Sequence, residues 1–268
     1  MRQLLHTLRA LPTLLRIGLA EAVAYRAEFL VWVLAYTMPI IMLALWSEVA
    51  REAPVGRFGE REFQAYFLAT LVVRLATGAW VVWEMNTEVR QGTLQKRLLR
   101  PVHPIVTYLT ENLAALPMRF MIVVPFVVGT LLWLGTGVLT NDPVQALLIP
   151  ITLLGAFLLT FLAMTCIGTL SLFWESSIAV FDLWLGCYTV LSGYVMPLEL
   201  FPESVRALIG RLPFRQMLAF PVENMLGLES RADSLRDLAL QWTWVAAFTV
   251  LAALLWRAGM KRFGAYGG

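Results

Sequence analysis

Charged residues are scarce in this chain of 268 residues. Only 15% of the residues are charged, whereas 59% are hydrophobic, and the mean hydropathy is +0.71. Soluble domains carry about 25% charged residues. A water-soluble core of this size cannot bury so large an apolar surplus, so the remainder must face lipid. The composition therefore indicates an integral membrane protein and excludes a secreted disulfide scaffold, a disordered tail and a soluble α/β enzyme.

Cysteine, histidine and lysine occur only twice each. Cys166 and Cys187 lie inside apolar runs and are expected to be small core residues, not a disulfide or a metal pair. Neither lysine follows a glycine, so the chain lacks the Gly-Lys-Ser/Thr core of a P-loop. Serine-hydrolase and zinc-protease motifs are missing as well. We therefore expect no catalytic, cofactor-binding or metal-ligating residue, and we predict that the chain is not an enzyme.

Six apolar runs are long enough to cross a bilayer as helices, which takes about 20 residues each. They lie near residues 29–47, 63–83, 113–139, 144–174, 178–198 and 238–256. We predict an all-α polytopic membrane protein in which residues 1–268 form a single transmembrane domain. An even number of spans places both termini on one side. Basic residues number eleven on that side and eight on the other, so both termini are predicted to be cytoplasmic. The basic surplus then reflects orientation, and we expect no nucleic-acid partner.

Residues 1–28 precede the first predicted span and have an amphipathic pattern. Leucines recur on one helical face and arginines on another, as expected of a helix that lies in the cytoplasmic interface. Such a helix is either a simple membrane anchor or an interface helix that also contacts a partner.

Residues 84–112 connect the second and third predicted spans on the cytoplasmic side. The second span is expected to continue through Arg90 and to stop at Gly92, because glycine tolerates the left-handed conformation found after a helix end. Thr93 is then expected to cap a helix of about two turns, which Pro101 ends.

This short helix is predicted to be amphipathic. Leu94 and Leu98 share one side, and the other side carries basic residues, namely Lys96, Arg97 and Arg100. A helix of this length is unstable alone and must pack on another surface. The pattern favours a docking element over a loop that is basic only because it is cytoplasmic.

Residues 192–226, between the fifth and sixth predicted spans, are rich in proline and mix apolar with charged residues. Two short helices are predicted, over residues 203–212 and 214–226. Neither is long enough to span the membrane. The segment is either a re-entrant helical hairpin that dips into the outer leaflet or an external domain that lies flat on the membrane.

Three charged residues fall inside the predicted spans: Arg74, Arg119 and Asp182. Charges at such depth usually face a bundle interior or a wet cavity. Arg119 and Asp182 have similar predicted depths, which makes them a plausible ion pair. Arg74 lies nearer to the middle of the membrane, where it would either bond to buried carbonyl groups or contact a substrate.

Several of these segments resemble one known family. The run Glu88–Leu94, followed by Leu98–Pro104, is similar to the coupling segment of bacterial six-span type-2 ABC transporter permeases. Ser192–Leu198, followed by Phe201-Pro202 and by Leu212–Phe214, resembles the outer re-entrant motif of these permeases. The likeness covers nearly the whole chain.

The resemblance implies roles for two sets of residues. The set expected to couple to an ATPase is Glu88, Arg90, Gly92, Leu94, Leu98, Arg100, Pro101 and Pro104. In it, Glu88 and Arg90 would make polar contacts with the ATPase, and Leu94 and Leu98 would pack against it. The set expected in the re-entrant motif is Gly193, Pro197, Phe201, Pro202 and Pro213.

The resemblance also implies a function. The chain would be the permease subunit of an ATP-driven exporter in the bacterial cytoplasmic (inner) membrane. It would pair with a second copy or a related permease and would bind separate ABC-type ATPase subunits, which hold the ATP and Mg. Two alternatives remain: an ion-coupled secondary transporter that works without an ATPase, and a membrane enzyme or scaffold that acts on lipids.

Overall fold

The computed structural model describes residues 10–20 and 37–263, and these residues are helical apart from short connections. The α-helices are α1 (Ala10–Ala20), α2 (Met38–Glu52), α3 (Glu60–Thr77), α4 (Val81–Arg90), α5 (Leu94–Leu98), α6 (Pro104–Ala114), α7 (Leu116–Leu134), α8 (Pro143–Thr169), α9 (Ile178–Leu191), α10 (Glu203–Ile209), α11 (Pro213–Met217), α12 (Ala219–Leu226) and α13 (Arg231–Met260). Single 3₁₀ turns lie at Thr136–Val138, Leu170–Leu172 and Leu198–Leu200. The predicted all-α class is confirmed.

Four helical stretches in the described part of the chain are long and apolar enough to cross a membrane. They are Glu60–Arg90, Pro104–Leu134, Pro143–Leu172 and Arg231–Met260. These stretches correspond to the second, third, fourth and sixth predicted spans, so the chain is a multi-pass membrane protein. The other two predicted spans are represented by the shorter helices α2 and α9, with 15 and 14 residues. A helix of that length covers only about 20–22 Å of the roughly 30 Å hydrocarbon core.

Local backbone geometry explains where α9 ends. The fifth span was predicted to reach residue 198, but the helix stops at Leu191. Gly193 follows with a φ of +86°, in the left-handed region that reverses the chain direction. The first predicted span starts at residue 29, and residues 29–36 lie outside the described part of the chain.

The second predicted span is two helices and not one. α3 ends at Thr77 and α4 begins at Val81, because Gly78 leaves the helical conformation with φ −58° and ψ 138°. Uncharged apolar residues surround the break, so the hydropathy pattern gives no sign of it. The carbonyl oxygen of Gly78 accepts a hydrogen bond from Nη1 of Arg119. A backbone polar group that lacks its helical hydrogen bond needs such a partner inside a membrane.

Helix α8 forms the centre of the structure and packs against α3, α4, α12 and α13. Two glycines allow the neighbouring elements to approach closely. A Cβ atom at Gly168 would lie 2.9 Å from Sδ of Met85 on α4. One at Gly155 would overlap Oε1 of Gln241 on α13. An alanine at either position would force the side chain of Met85 or Gln241 to shift.

The connections between helices gather at two opposite ends of the bundle. At one end Arg57 pairs with Glu199, and Arg231 lies 2.7 Å from Asp142. These contacts join the loops at 53–59, 135–142 and 192–230. At the other end the ring of His103 lies 5.5 Å from that of Trp256, which joins the coupling segment to the end of α13.

Helix α1 is the described part of the predicted amphipathic helix 1–28. It packs on α6 at Gly18, where a Cβ atom would lie 2.7 Å from Cβ of Ala114. Ile17 and Leu19 remain exposed. The rest of the predicted amphipathic helix, at residues 1–9 and 21–28, lies outside the described residues.

Candidate functional site

The coupling segment, residues 84–112, has a helix–turn–helix backbone. α4 ends at Arg90, and Gly92 turns the chain with a φ of +70°, so the predicted stop is confirmed. α5 has only five residues, fewer than the two turns predicted. Thr93 precedes α5, but its side chain makes no capping hydrogen bond, so the predicted cap is wrong. Pro101 follows the end of α5, as expected.

Arg97 joins the three helices of this segment. Its Nε donates to both carboxylate oxygens of Glu88 on α4, at 2.8 Å each. Its Nη1 donates to Oε1 of Glu111 on α6, at 2.7 Å, and to the hydroxyl of Thr107, at 3.1 Å. The guanidinium carbon lies 4.0 Å from the ring centre of Tyr108, whose hydroxyl donates to Glu88 at 2.6 Å.

The surroundings of Arg97 favour its positively charged form. Burial by itself lowers the pKa of a guanidinium, but the hydrogen bonds to Glu88 and Glu111 outweigh it and raise the pKa of Arg97 above its ordinary value. Sequence reasoning had placed Arg97 on the exposed basic side of α5. That prediction is wrong, because the carboxylates of Glu88 and Glu111 on the neighbouring helices turn the Arg97 side chain inward.

The remaining coupling residues divide into buried and exposed groups. Leu94 and Pro104 are buried, and Leu98 packs partly against the core. Leu94 is fully enclosed by its own chain, so the expectation that it packs on an ATPase is wrong. Four exposed residues are called the tip of the segment, namely Arg90, Leu99, Arg100 and Pro101. Leu99 is 86% exposed, and sequence reasoning had not selected it.

Arg74 lies near the middle of the Glu60–Arg90 stretch, between two aromatic rings. Its guanidinium carbon is 5.0 Å from the ring centre of Tyr188 and 5.3 Å from that of Tyr194. Its Nη1 also donates to the hydroxyl of Tyr188, at 3.3 Å. The arginine therefore connects α3 to α9 and to the turn after it through cation–π contacts.

The predicted Arg119–Asp182 pair does not form. Arg119 reaches the carbonyl oxygen of Gly78 at the break between α3 and α4. Asp182 is exposed on α9, and it belongs to no ion pair within residues 10–20 and 37–263. Similar predicted depth was not enough to bring the two side chains together, because Arg119 bonds to the backbone of Gly78 and Asp182 remains exposed.

The outer segment, residues 192–226, packs against α3 and α8. Its helices are shorter than predicted: α10 ends at Ile209, and Leu218 divides the second predicted helix into α11 and α12. The hydroxyl of Tyr66 donates to the carbonyl oxygen of Gly193, at 2.9 Å. The remaining motif residues lie at helix or turn boundaries: Pro197 and Phe201 flank a 3₁₀ turn, Pro202 precedes α10, and Pro213 begins α11.

A second partly buried arginine organises this outer segment. Arg215 on α11 lies 2.7 Å from Glu223 on α12 and 2.6 Å from Asp237 on α13, and it also pairs with Glu229. Sequence reasoning missed this cluster. The three carboxylates are 8, 14 and 22 residues from Arg215, so no local spacing identifies them.

Burial shifts the pKa of one carboxylate in this cluster, that of Glu229. It raises the pKa of Glu229 to about 8, and the Glu223 and Asp237 carboxylates act in the same direction, against the opposing effect of Arg215. A proton on Glu229 would reduce the repulsion among the three acids.

Comparison with known proteins identifies the family. Residues 56–267 match the family described as ABC-2 family transporter protein, and this range includes the coupling segment and the outer segment. A search of curated proteins found no match. The family match covers most of the chain, and four helical stretches in the described residues are suited to a membrane. The chain therefore belongs to the ABC-2 transporter family and is the membrane permease of an ABC transporter.

Proposed function

We propose that this permease is the membrane subunit of an ATP-driven exporter and that its coupling segment docks on a separate ABC ATPase. Membership in the family implies an ABC ATPase partner. The observation that carries the proposal is the Arg97 network, which fixes α5 to both α4 and α6 and leaves the tip of the segment exposed.

This arrangement suits the transmission of movement from a partner to the membrane helices. α4 follows α3 in the Glu60–Arg90 stretch, and α6 precedes α7 in the Pro104–Leu134 stretch. A displacement of α5 therefore reaches both stretches through the hydrogen bonds of Arg97. Leu99 offers an exposed apolar contact at the tip and Arg90 an exposed cation, a combination suited to an acidic-rimmed apolar cleft on the ATPase.

Six membrane crossings fit the two groups of connections. With α2 and α9 counted as crossings, successive connections alternate between the two ends of the bundle, and both termini fall on the side of the coupling segment. That side is the cytoplasm if an ATPase docks there. The outer segment then forms a re-entrant hairpin on the opposite side, since its buried helices α11 and α12 have five and eight residues and are too short to span.

Two permeases would together form the transport path, as either a homodimer or a heterodimer. Large apolar side chains remain exposed along α7, α9 and α13, including Leu132, Leu183 and Val250. A second permease and the lipid of the bacterial inner membrane would cover such faces. ATP and Mg would bind to the ATPase, and this chain would contribute coupling and not catalysis.

The test is purification of the tagged full-length chain from its native membranes in a mild detergent. The proposal expects a protein with a P-loop to co-purify, ATP hydrolysis by the complex, and substrate movement in proteoliposomes that requires ATP and resists a protonophore. Transport without any ATPase that collapses with the protonophore would instead support an ion-coupled carrier.

A further inference from the structure

A cavity of about 920 Å³ lies between α1, α4 and the coupling segment. One face of α4 forms its long wall, from Trp80 through Trp83 to Glu88. Eight residues of helix cover about 12 Å, so the cavity extends from the coupling segment well along the bundle. Helix α1 lies on the opposite side and contributes Leu14 and Ile17.

Two cations stand at the end of the cavity formed by the coupling segment. Lys96 and Arg100 are four positions apart, line the cavity and are exposed. Neither side chain joins an ion pair with another described residue. Of the three acids in the lining, Glu88 and Glu111 are held by Arg97, and Glu84 also has a partner. Lys96 and Arg100 are therefore available to an anion.

Away from these two cations the lining carries large apolar side chains beside the polar side chains of Glu84 and Arg119. Ile17 is 52% exposed and Trp83 is 42% exposed, although both are large apolar side chains. Tryptophan prefers the level of the lipid headgroups, and basic pockets beside membrane helices on the cytoplasmic side bind anionic headgroups. Cations at one end and an apolar wall leading into the bundle match a ligand with an anionic head and an acyl tail.

We propose that this cavity binds one anionic phospholipid, with its phosphate at Lys96 and Arg100 and an acyl chain along Ile17 and Trp83. Assignment of the lipid to the cytoplasmic leaflet follows from the topology proposed above, whereas binding itself does not depend on an ATPase. A bound lipid would join α1 to the coupling segment, because its acyl chain contacts Ile17 on α1 and its phosphate contacts Lys96 and Arg100.

The test is native mass spectrometry of the delipidated full-length chain, titrated with phosphatidylglycerol and with phosphatidylcholine of the same acyl chains. Each basic residue near a headgroup contributes about 1 kcal/mol, so Lys96→Gln with Arg100→Gln should weaken phosphatidylglycerol binding about 30-fold. The matched control is Arg257→Gln with Lys261→Gln, an exposed Arg and Lys also four positions apart but outside the cavity. It should change binding by about twofold at most.

A second variant tests the apolar wall and keeps the proposal open to refutation if the double variant misfolds. Ile17→Gln should weaken phosphatidylglycerol binding, and glycerol 3-phosphate should not compete at the lipid's own concentration. Equal losses in the cavity and control double variants would overturn the proposal, because they would indicate general surface charge. Equally tight phosphatidylcholine binding, or glycerol 3-phosphate that competes as well as the lipid, would also overturn it.

Discussion

Nη1 of Arg97 on α5 lies 2.7 Å from Oε1 of Glu111 on α6, and the same guanidinium binds Glu88 on α4. One side chain thus holds the short helix α5 to the two longer helices that flank it. An isolated helix of five residues would not be stable. The exposed tip of the coupling segment is therefore a rigid extension of the membrane helices and not a loose loop.

Replacement of Arg97 by Met should destabilise the protein by about 3 kcal/mol, because Glu88 and Glu111 would remain partly buried without their cation. Arg97→Lys should recover only part of this loss, since an ammonium cannot bridge both carboxylates with the planar geometry of a guanidinium. Thermal unfolding in detergent measures the effect. Arg90→Met, a neighbouring exposed arginine, should stay within about 0.5 kcal/mol of the wild type. Equal stability of the Arg97 and Arg90 variants would contradict the assigned role.

Substitutions at Gly92 should separate backbone strain from side-chain contact. Its φ is +70°, and a Cβ atom there would meet no other atom within 4 Å. Gly92→Asn should therefore be tolerated, because Asn adopts the left-handed region more readily than other residues. Gly92→Val should lower stability by about 1–2 kcal/mol and reduce stimulation of the ATPase. If both variants match the wild type, the turn does not set the position of α5.

Gly193→Ala should disrupt the outer segment. Its φ is +86°, and the new Cβ atom would lie 2.5 Å from the hydroxyl of Tyr66 and 3.0 Å from Cβ of Ala219. Backbone strain and overpacking together should cost about 2–4 kcal/mol. Gly186→Ala on α9 is the matched control, because a Cβ atom there meets nothing within 4 Å and alanine favours helix. The prediction fails if the two alanine variants unfold at the same temperature.

The raised pKa of Glu229 implies that the stability of the protein depends on pH. The folded protein keeps the Glu229 proton up to a pKa of about 8, whereas an ordinary Glu releases it near 4.5. Between these values the folded state binds more protons than the unfolded state, so stability should fall as pH rises from about 5 to about 8. Glu229→Gln should flatten this part of the unfolding profile. Glu48→Gln, at an exposed carboxylate, should leave the slope unchanged; a slope that persists in Glu229→Gln would refute the assignment.

Local signals in the sequence were sufficient for most of the architecture. The apolar runs predicted four stretches that the structure also has, and Gly92 predicted the end of α4, because both depend on residues near in the chain. The break at Gly78 was missed. No charged residue marks the break itself, and the carbonyl group of Gly78 is satisfied by Arg119 from another helix.

The candidate site was less predictable, because its contacts join distant residues. A helical projection of α5 assigned Arg97 to the exposed side with Lys96 and Arg100. The position of Glu111, which turns Arg97 inward, depends on how α6 packs. The Arg215 cluster could not be predicted for the same reason. Its three acidic partners lie in later parts of the chain, and their positions depend on how those parts pack. Leu99 was overlooked because its exposure becomes evident only once Leu94 fills the core.

The most direct test of the coupling role is the ATP hydrolysis rate of the purified permease–ATPase complex with Leu99→Glu. A carboxylate at this exposed tip should not disturb the permease itself, but it should weaken docking on an acidic-rimmed cleft and lower stimulated hydrolysis at least about tenfold. Leu99→Met should retain nearly full stimulation. Wild-type hydrolysis by Leu99→Glu, in a complex that assembles normally, would contradict the proposal that this tip docks on the ATPase.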